Sequence, residues 1–96
     1  MRMPNPWFTY IIRCSDDTLY TGVTTDLTRR LAEHNSPKGG ARYTRTRQPV
    51  QLVFAEETAT RSQACQREFA IKQLSAAAKR RLIDEPHTHD NDLPSF

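Results

Sequence analysis

The sequence predicts an α+β fold in which a small three-stranded antiparallel-type sheet is flanked by helices in the order β-β-α-β-α-α. Two segments rich in aromatic and β-branched residues lie near the N-terminus with turn-forming residues between them, which is the pattern of a hairpin. A third such segment lies near the middle of the chain, and stretches with helical apolar spacing flank it. The 96 residues suffice for one modest core, and neither an internal repeat nor a second domain is visible.

The N-terminal hairpin carries two tyrosines. Residues 7–13 form the first predicted strand, residues 14–17 are turn formers, and residues 18–24 form the second strand. Tyr10 lies on the first strand and Tyr20 on the second. Because side chains alternate along a strand, the two tyrosines share a face only if paired residue numbers sum to an even value. Two aromatic residues in a sheet also fit a purely structural role.

A helix is predicted directly after the hairpin. Asp26 is its N-cap, the helix runs to about Asn35, and two leucines four positions apart define its core-directed face. Arg30 and His34 are also four positions apart, so they stack on one side of the helix next to that face. Taken singly, each of the two also fits a solvated position on the helix surface, which is the alternative to a functional role.

The pattern of regular structure stops between residues 36 and 48. Proline and glycine break this stretch, and a loop of this length in a compact domain is either functional or disordered. Basic residues crowd it together with one tyrosine: Lys38, Arg42, Tyr43, Arg45 and Arg47. Alternation returns at 50–57, the third predicted strand, whose pairing direction stays open. Thr60 caps a helix to Leu74, and residues 75–83 form a second short helix.

The charge is unevenly distributed. The net charge is +3, but residues 84–96 contain four acidic residues and no lysine or arginine, so residues 1–83 carry +7. This predicts a folded domain at 1–83 and an acidic, disordered tail at 84–96. A basic body indicates an anionic partner, nucleic acid first, although the charge also fits simple solubility. With no spanning apolar run, no secretory signal and only two cysteines, the expected location is the cytoplasm, away from membranes.

A glutamate stands on a mostly apolar arc of the long C-terminal helix. Burying a carboxylate costs free energy unless the group is paired, hydrogen-bonded or holding a metal ion, and Glu68 therefore is a candidate site residue. The alternative is that Glu68 lies at the edge of the arc and pairs with Lys72, four positions later.

These residues match a known pattern. Phe8-Thr9-Tyr10 and Tyr20-Thr21-Gly22 resemble the paired signature of the GIY-YIG nuclease family, whose first triplet keeps only its tyrosine here. The remaining family positions fall on Arg30, His34 and Glu68, the last followed by Ile71-Lys72. The resemblance covers residues 7–83 and is strongest to the small stand-alone members. Arg80 stands where some members have an asparagine.

The resemblance implies a metal-dependent endonuclease that hydrolyses phosphodiester bonds in nucleic acid, with DNA as the expected substrate. It implies that Glu68 binds a single Mg²⁺ or Mn²⁺ and that Arg30 clamps the non-bridging phosphate oxygens. Tyr10 or Tyr20 would orient or deprotonate the attacking water, and His34 is an alternative carrier of that proton. Which of these groups is the base stays open.

The basic residues complete the predicted interface. Three arginines of the 36–48 stretch would track the phosphate backbone, Tyr43 would stack on an unpaired base, and Lys72 would add a further nucleic-acid contact. The arginines are Arg42, Arg45 and Arg47. A solvated loop is the alternative. The competing function is a non-catalytic nucleic-acid-binding module that retains the nuclease fold, and a protein partner could supply specificity to either.

Overall fold

The computed structural model describes residues 6–37, 39 and 41–84. It contains three strands, β1 (Trp7–Arg13), β2 (Leu19–Thr24) and β3 (Gln51–Thr58). Four helices accompany them: α1 (Leu27–His34), α2 (Arg42–Arg45), α3 (Arg61–Lys72) and α4 (Ala76–Asp84). Among the described residues no helix is both long and apolar enough to cross a membrane. Of the predicted acidic tail, all but its first residue lies outside the described part.

Local capping sets where α1 and α3 begin. The Asp26 carboxylate accepts the backbone N–H of Arg29 at 3.0 Å, and the Thr60 hydroxyl accepts that of Gln63 at 3.1 Å. Each bond satisfies one of the backbone donors that a helix N-terminus leaves unpaired. Both predicted starts are confirmed.

Helix α2 corrects the prediction that residues 36–48 form an irregular loop. The Ala41 carbonyl accepts the backbone N–H groups of Thr44 and Arg45, each at 3.1 Å, which closes a single helical turn. Thr44 is fully buried, so this turn is packed against the domain rather than solvated. Its burial depends on partners elsewhere in the chain, which the local sequence does not show.

The sheet has the strand order β2-β1-β3, and both pairings are antiparallel. This settles the direction of the third strand. In the hairpin, Tyr10 pairs with Gly22 and Ile12 with Tyr20, so paired residue numbers sum to an even value. Tyr10 and Tyr20 therefore lie on the same face of the sheet.

Each face of the sheet has its own core. The first cluster combines alternate residues of β1 with α1: Phe8, Tyr10, Ile12, Cys14, Leu27 and Val50, with Tyr20 and Leu31 packed against it. The second combines the other face with α3 and α4: Ile11, Phe54 and Ile71, with Leu82 and Ile83 beside it. The sheet is thus a middle layer, with the tyrosines on the face that α1 covers.

Glycine at position 22 makes room for the Tyr10 side chain. A Cβ atom at Gly22 would lie 2.5 Å from Tyr10 Oη and 2.7 Å from Cζ, closer than packed atoms approach. We expect Gly22→Ala to displace the Tyr10 ring and to lower the free energy of unfolding by about 1–3 kcal/mol. Chemical denaturation measures this. In a Tyr10→Ala background the same change should cost little, and an equal cost in both backgrounds would contradict the interpretation.

Candidate active site

His34 lies at the centre of the candidate site, between the two tyrosines. Its Nε2 atom is 2.7 Å from Tyr10 Oη. Its ring packs edge-to-face against Tyr10, with centroids 5.8 Å apart, and against Tyr20 at 5.3 Å. His34 is completely buried, so its interpretation as a solvated helix residue is wrong. Helix phase places His34 at the i+7 and i+3 positions from Leu27 and Leu31, near their core-directed face, and the packing of Thr44 of α2 against the ring completes its burial.

The second ring nitrogen of His34 is also occupied. Nδ1 lies 2.8 Å from the hydroxyl of Thr44, which in turn donates to the Ala41 carbonyl at 2.9 Å. The backbone N–H of Ala41 approaches Nδ1 at 3.4 Å. Burial, together with the positive charge of Arg30, lowers the pKa of His34 from 6.5 to about 4. The imidazole is therefore neutral at pH 7 and makes hydrogen bonds through both nitrogens.

Tyr10 is a buried phenol whose proton is held tightly. Burial is the main cause that raises its pKa to about 12, and the charges of Tyr20 and Glu68 add to the increase. The neighbouring Arg30 guanidinium opposes the increase, because a positive charge favours the ionised phenol. The Arg30 side chain is 30% exposed and also forms a 3.0 Å ion pair with Glu33.

Tyr20 is held by α2 and the residues after it. Its ring stacks on Tyr43, with centroids 6.0 Å apart and planes 25° apart. The Arg47 guanidinium lies 4.0 Å from the centroid of the Tyr43 ring, donates to the Tyr43 carbonyl at 2.8 Å and pairs with Asp16 at 3.0 Å. A nucleic-acid base that stacked on Tyr43 would compete with these contacts. Arg47 likewise already has an anionic partner in the β1–β2 turn.

Glu68 lies on α3, across the sheet from α1, and its negative charge contributes to the raised pKa of Tyr10. Its side chain is 23% exposed and pairs with Lys72 Nζ at 3.2 Å, which is the pairing that the i+4 spacing predicts. The described residues contain no group of three or more His, Cys, Asp or Glu side chains able to hold a metal ion. A single accessible carboxylate still fits Mg²⁺, which keeps several waters and binds substrate oxygens.

The remaining basic residues differ in whether they form an ion pair or hydrogen bond within the protein. Arg42 and Arg45 are exposed on α2 and form no ion pair with any described residue, whereas Lys72 is paired with Glu68. Arg80 donates to the backbone oxygen of Asp17 at 3.0 Å and ties α4 to the hairpin turn. Lys38 lies outside the described residues.

Thr44 and the structural role of Gly22 were not predicted from the sequence. Gly22 belongs to the second family triplet, and the antiparallel register shows that it faces Tyr10. Thr44 stands between Tyr43 and Arg45, and only the packing of α2 against α1 brings it to His34. The structure also brings four predicted residues together in one cluster: Tyr10, Tyr20, Arg30 and His34. The charge of Glu68 contributes to the raised pKa of Tyr10 in that cluster.

Comparison with known proteins agrees with this geometry. Residues 6–81 match the model of the GIY-YIG catalytic domain. The chain is 58% identical over 77 residues to the UPF0213 protein DP2720 of Desulfotalea psychrophila, covering 80% of this chain and 70% of that protein. It is 51% identical over 76 residues to the UPF0213 protein NP_0776A of Natronomonas pharaonis, covering 79% and 88% of the two chains.

Two solution NMR structures are similar to this fold. The UPF0213 protein BH0048 of Bacillus halodurans superposes with a TM-score of 0.55 at 36% identity, covering 91% of this chain and 93% of the other. The protein EF2693 of E. faecalis superposes with a TM-score of 0.56 at 35% identity, covering 93% and 99%. The α+β fold with a three-stranded antiparallel sheet is therefore confirmed. By sequence and by structure, the chain belongs to the GIY-YIG family and, within it, to the small UPF0213 proteins.

Proposed function

We propose that this protein is a metal-dependent endonuclease that hydrolyses phosphodiester bonds in nucleic acid, with DNA as the expected substrate. The observation that carries the proposal is the buried cluster in which His34 joins Tyr10 and Tyr20 beside Arg30. Buried polar groups cost free energy unless every partner is supplied, and titratable groups with strongly shifted pKa values concentrate at functional sites. Membership of the GIY-YIG family supports the same reaction class.

Arg30 is the group that we assign to the phosphate. Its planar fork of N–H donors fits two non-bridging oxygens of a phosphodiester better than the point charge of a lysine does. The 3.0 Å ion pair with Glu33 holds the guanidinium in place, and its partial exposure leaves it accessible to an incoming anion. The clamp therefore needs little rearrangement when substrate arrives.

Tyr20 is the tyrosine that we assign to the attacking water. Tyr10 is only 2% exposed, whereas Tyr20 is half-buried and nearer to solvent. Stacking on Tyr43 and the edge contact with His34 fix the Tyr20 ring, so its hydroxyl orients a water molecule rather than rotating freely. In this arrangement Tyr10 and His34 are buried beneath Tyr20 and have a supporting role.

Glu68 is the residue that would hold the divalent cation. A bound Mg²⁺ or Mn²⁺ supplies Lewis-acid stabilisation of the negative charge that develops on phosphate and leaving oxygen. The chain's own contribution is one carboxylate, exposed enough to bind a hydrated ion, whose present partner Lys72 can move away because its side chain is 50% exposed. Lys72 then becomes free to contact the nucleic-acid backbone.

A nicking assay tests the proposal. Supercoiled plasmid and branched DNA are incubated with the protein and Mg²⁺, Mn²⁺ or EDTA, and binding is measured on the same substrates. We expect cleavage with either metal and none with EDTA. Well-folded protein that binds DNA in a salt-sensitive way but cleaves no substrate would instead establish the non-catalytic binding module.

Arg42 and Arg45 are proposed as the phosphate contacts of α2, because both are exposed and free of ion pairs among the described residues. Replacing either by alanine is expected to weaken binding on all sequences alike and to reduce the slope of log Kd against log salt by about one unit. Fluorescence anisotropy over a salt series measures this. The matched control is Arg81→Ala on α4, and an equal loss there, or a flat salt response, would contradict the assignment.

A further inference from the structure

One fully buried polar residue of the site, Thr44, was not predicted from the sequence. Thr44 has no exposed surface, and its hydroxyl lies between His34 Nδ1 at 2.8 Å and the Ala41 carbonyl at 2.9 Å. A hydroxyl has a single proton to donate. The direction in which Thr44 uses that proton therefore decides which nitrogen of His34 carries its own proton.

Two proton arrangements are conceivable around His34. In the first, Thr44 donates to Ala41, His34 donates from Nδ1 to Thr44, and Nε2 accepts from Tyr10, which satisfies the contacts at 2.9, 2.8 and 2.7 Å. In the second, Nδ1 accepts from the Thr44 hydroxyl and, over the longer 3.4 Å contact, from the Ala41 backbone N–H. Because Thr44 has a single proton, this arrangement gives up its 2.9 Å bond to the Ala41 carbonyl. Shorter contacts favour the first arrangement.

The burial of Tyr10 favours the same arrangement independently. Its phenol is only 2% exposed, and among the described residues the acceptor within hydrogen-bond distance of its hydroxyl is His34 Nε2, 2.7 Å away. If Nε2 carried a proton instead, it would donate to Tyr10 Oη and leave the buried phenolic proton without that acceptor.

We propose that Thr44 is a positioning residue that holds His34 in the tautomer protonated on Nδ1 and thereby orders a one-way hydrogen-bond chain that begins at Tyr10. The chain runs from Tyr10 to His34, Thr44 and the Ala41 carbonyl. Each member donates to the next, so the bonds polarise one another in the same direction. Its consequence for catalysis rests on the proposed function of this site, whereas the tautomer itself does not.

The tautomer is measured by NMR on protein with ¹⁵N-labelled histidine. Long-range ¹H–¹⁵N correlations at neutral pH distinguish a protonated ring nitrogen from an unprotonated one, and a His34→Gln sample assigns the signal. We expect Nδ1 of His34 to be protonated in the wild type and in Thr44→Ser, and the proton to move toward Nε2 in Thr44→Val. A wild-type spectrum with the proton on Nε2 overturns the proposal without any variant.

Cleavage kinetics test the consequence. We expect Thr44→Val to reduce kcat/KM on the order of tenfold to a hundredfold, less than the full contribution of a catalytic side chain, and Thr44→Ser to restore most of it. Rates equal to wild type in a folded Thr44→Val protein whose tautomer has changed would reject the catalytic consequence. If no variant and no wild-type protein cleaves DNA, the proposed function fails, while the tautomer measurement still decides the role of Thr44.

Discussion

Replacing Glu68 by glutamine is expected to abolish metal-dependent cleavage while leaving the fold nearly unchanged. The neutral amide keeps the shape of the side chain but loses the charge that a hard divalent cation requires. Loss of a bound metal's charge stabilisation is worth several kcal/mol in the transition state, which corresponds to a decrease in rate of about a thousandfold or more. The ion pair with Lys72 is partly exposed, so losing it costs only about 0.5 kcal/mol of stability.

The measurement is the rate of plasmid nicking with Mg²⁺, with thermal unfolding recorded for the same samples. Glu56→Gln is the matched control, because Glu56 is also a half-exposed glutamate in an ion pair, with Arg67 at 3.0 Å, but lies on β3. Cleavage by Glu68→Gln at the wild-type rate would remove Glu68 from the site. An equal loss in Glu56→Gln would show that the effect is not specific to the metal-binding carboxylate.

Acidification is expected to destabilise the protein through His34. Burial, with Arg30 nearby, lowers the pKa of His34 to about 4 in the folded state, whereas the unfolded chain has the ordinary value of 6.5. Between these two values the unfolded state binds a proton that the folded state does not. The contribution of His34 to stability is therefore complete above pH 6.5, and about 3 kcal/mol of it is lost as the pH falls through 6.5 to 4.

Urea unfolding at several pH values measures this, with His34→Gln as the comparison. Glutamine retains a donor and an acceptor but does not titrate, so the difference between the two pH profiles isolates the histidine. If His34→Gln fails to fold, an NMR titration of the wild type replaces it, in which the His34 imidazole stays neutral until about pH 4. Protonation of His34 near pH 6.5 in the folded protein would show that its site is solvated.

The candidate site was predictable as far as its residues follow a fixed spacing. Tyr10, Tyr20, Arg30 and His34 match family positions, and the structure brings them together on the face that α1 covers. Their environment was not predictable. An imidazole on a helix surface and one with no exposed surface have the same local sequence, since the difference lies in what packs over the helix.

Composition alone does not predict which basic residues of the 36–48 stretch are free to contact phosphate. These basic residues predict phosphate contacts, but Arg47 is engaged by Asp16, thirty-one positions earlier in the chain, and its guanidinium covers Tyr43. Arg42 and Arg45 are exposed, as a contact with phosphate requires. Composition gives the charge of a segment, whereas the ion pairs that neutralise part of it depend on distant residues.

The amino-acid sequence by itself determined where the three strands lie along the chain and where α1 and α3 begin, because periodicity and N-cap residues act over three or four positions. It also determined the spacing of the site residues. Only the tertiary structure decided the direction of β3, the packing of α2 against α1, the burial of His34 and its bond to Thr44. These features join segments ten or more residues apart, and their free energy comes from packing that no short segment makes alone.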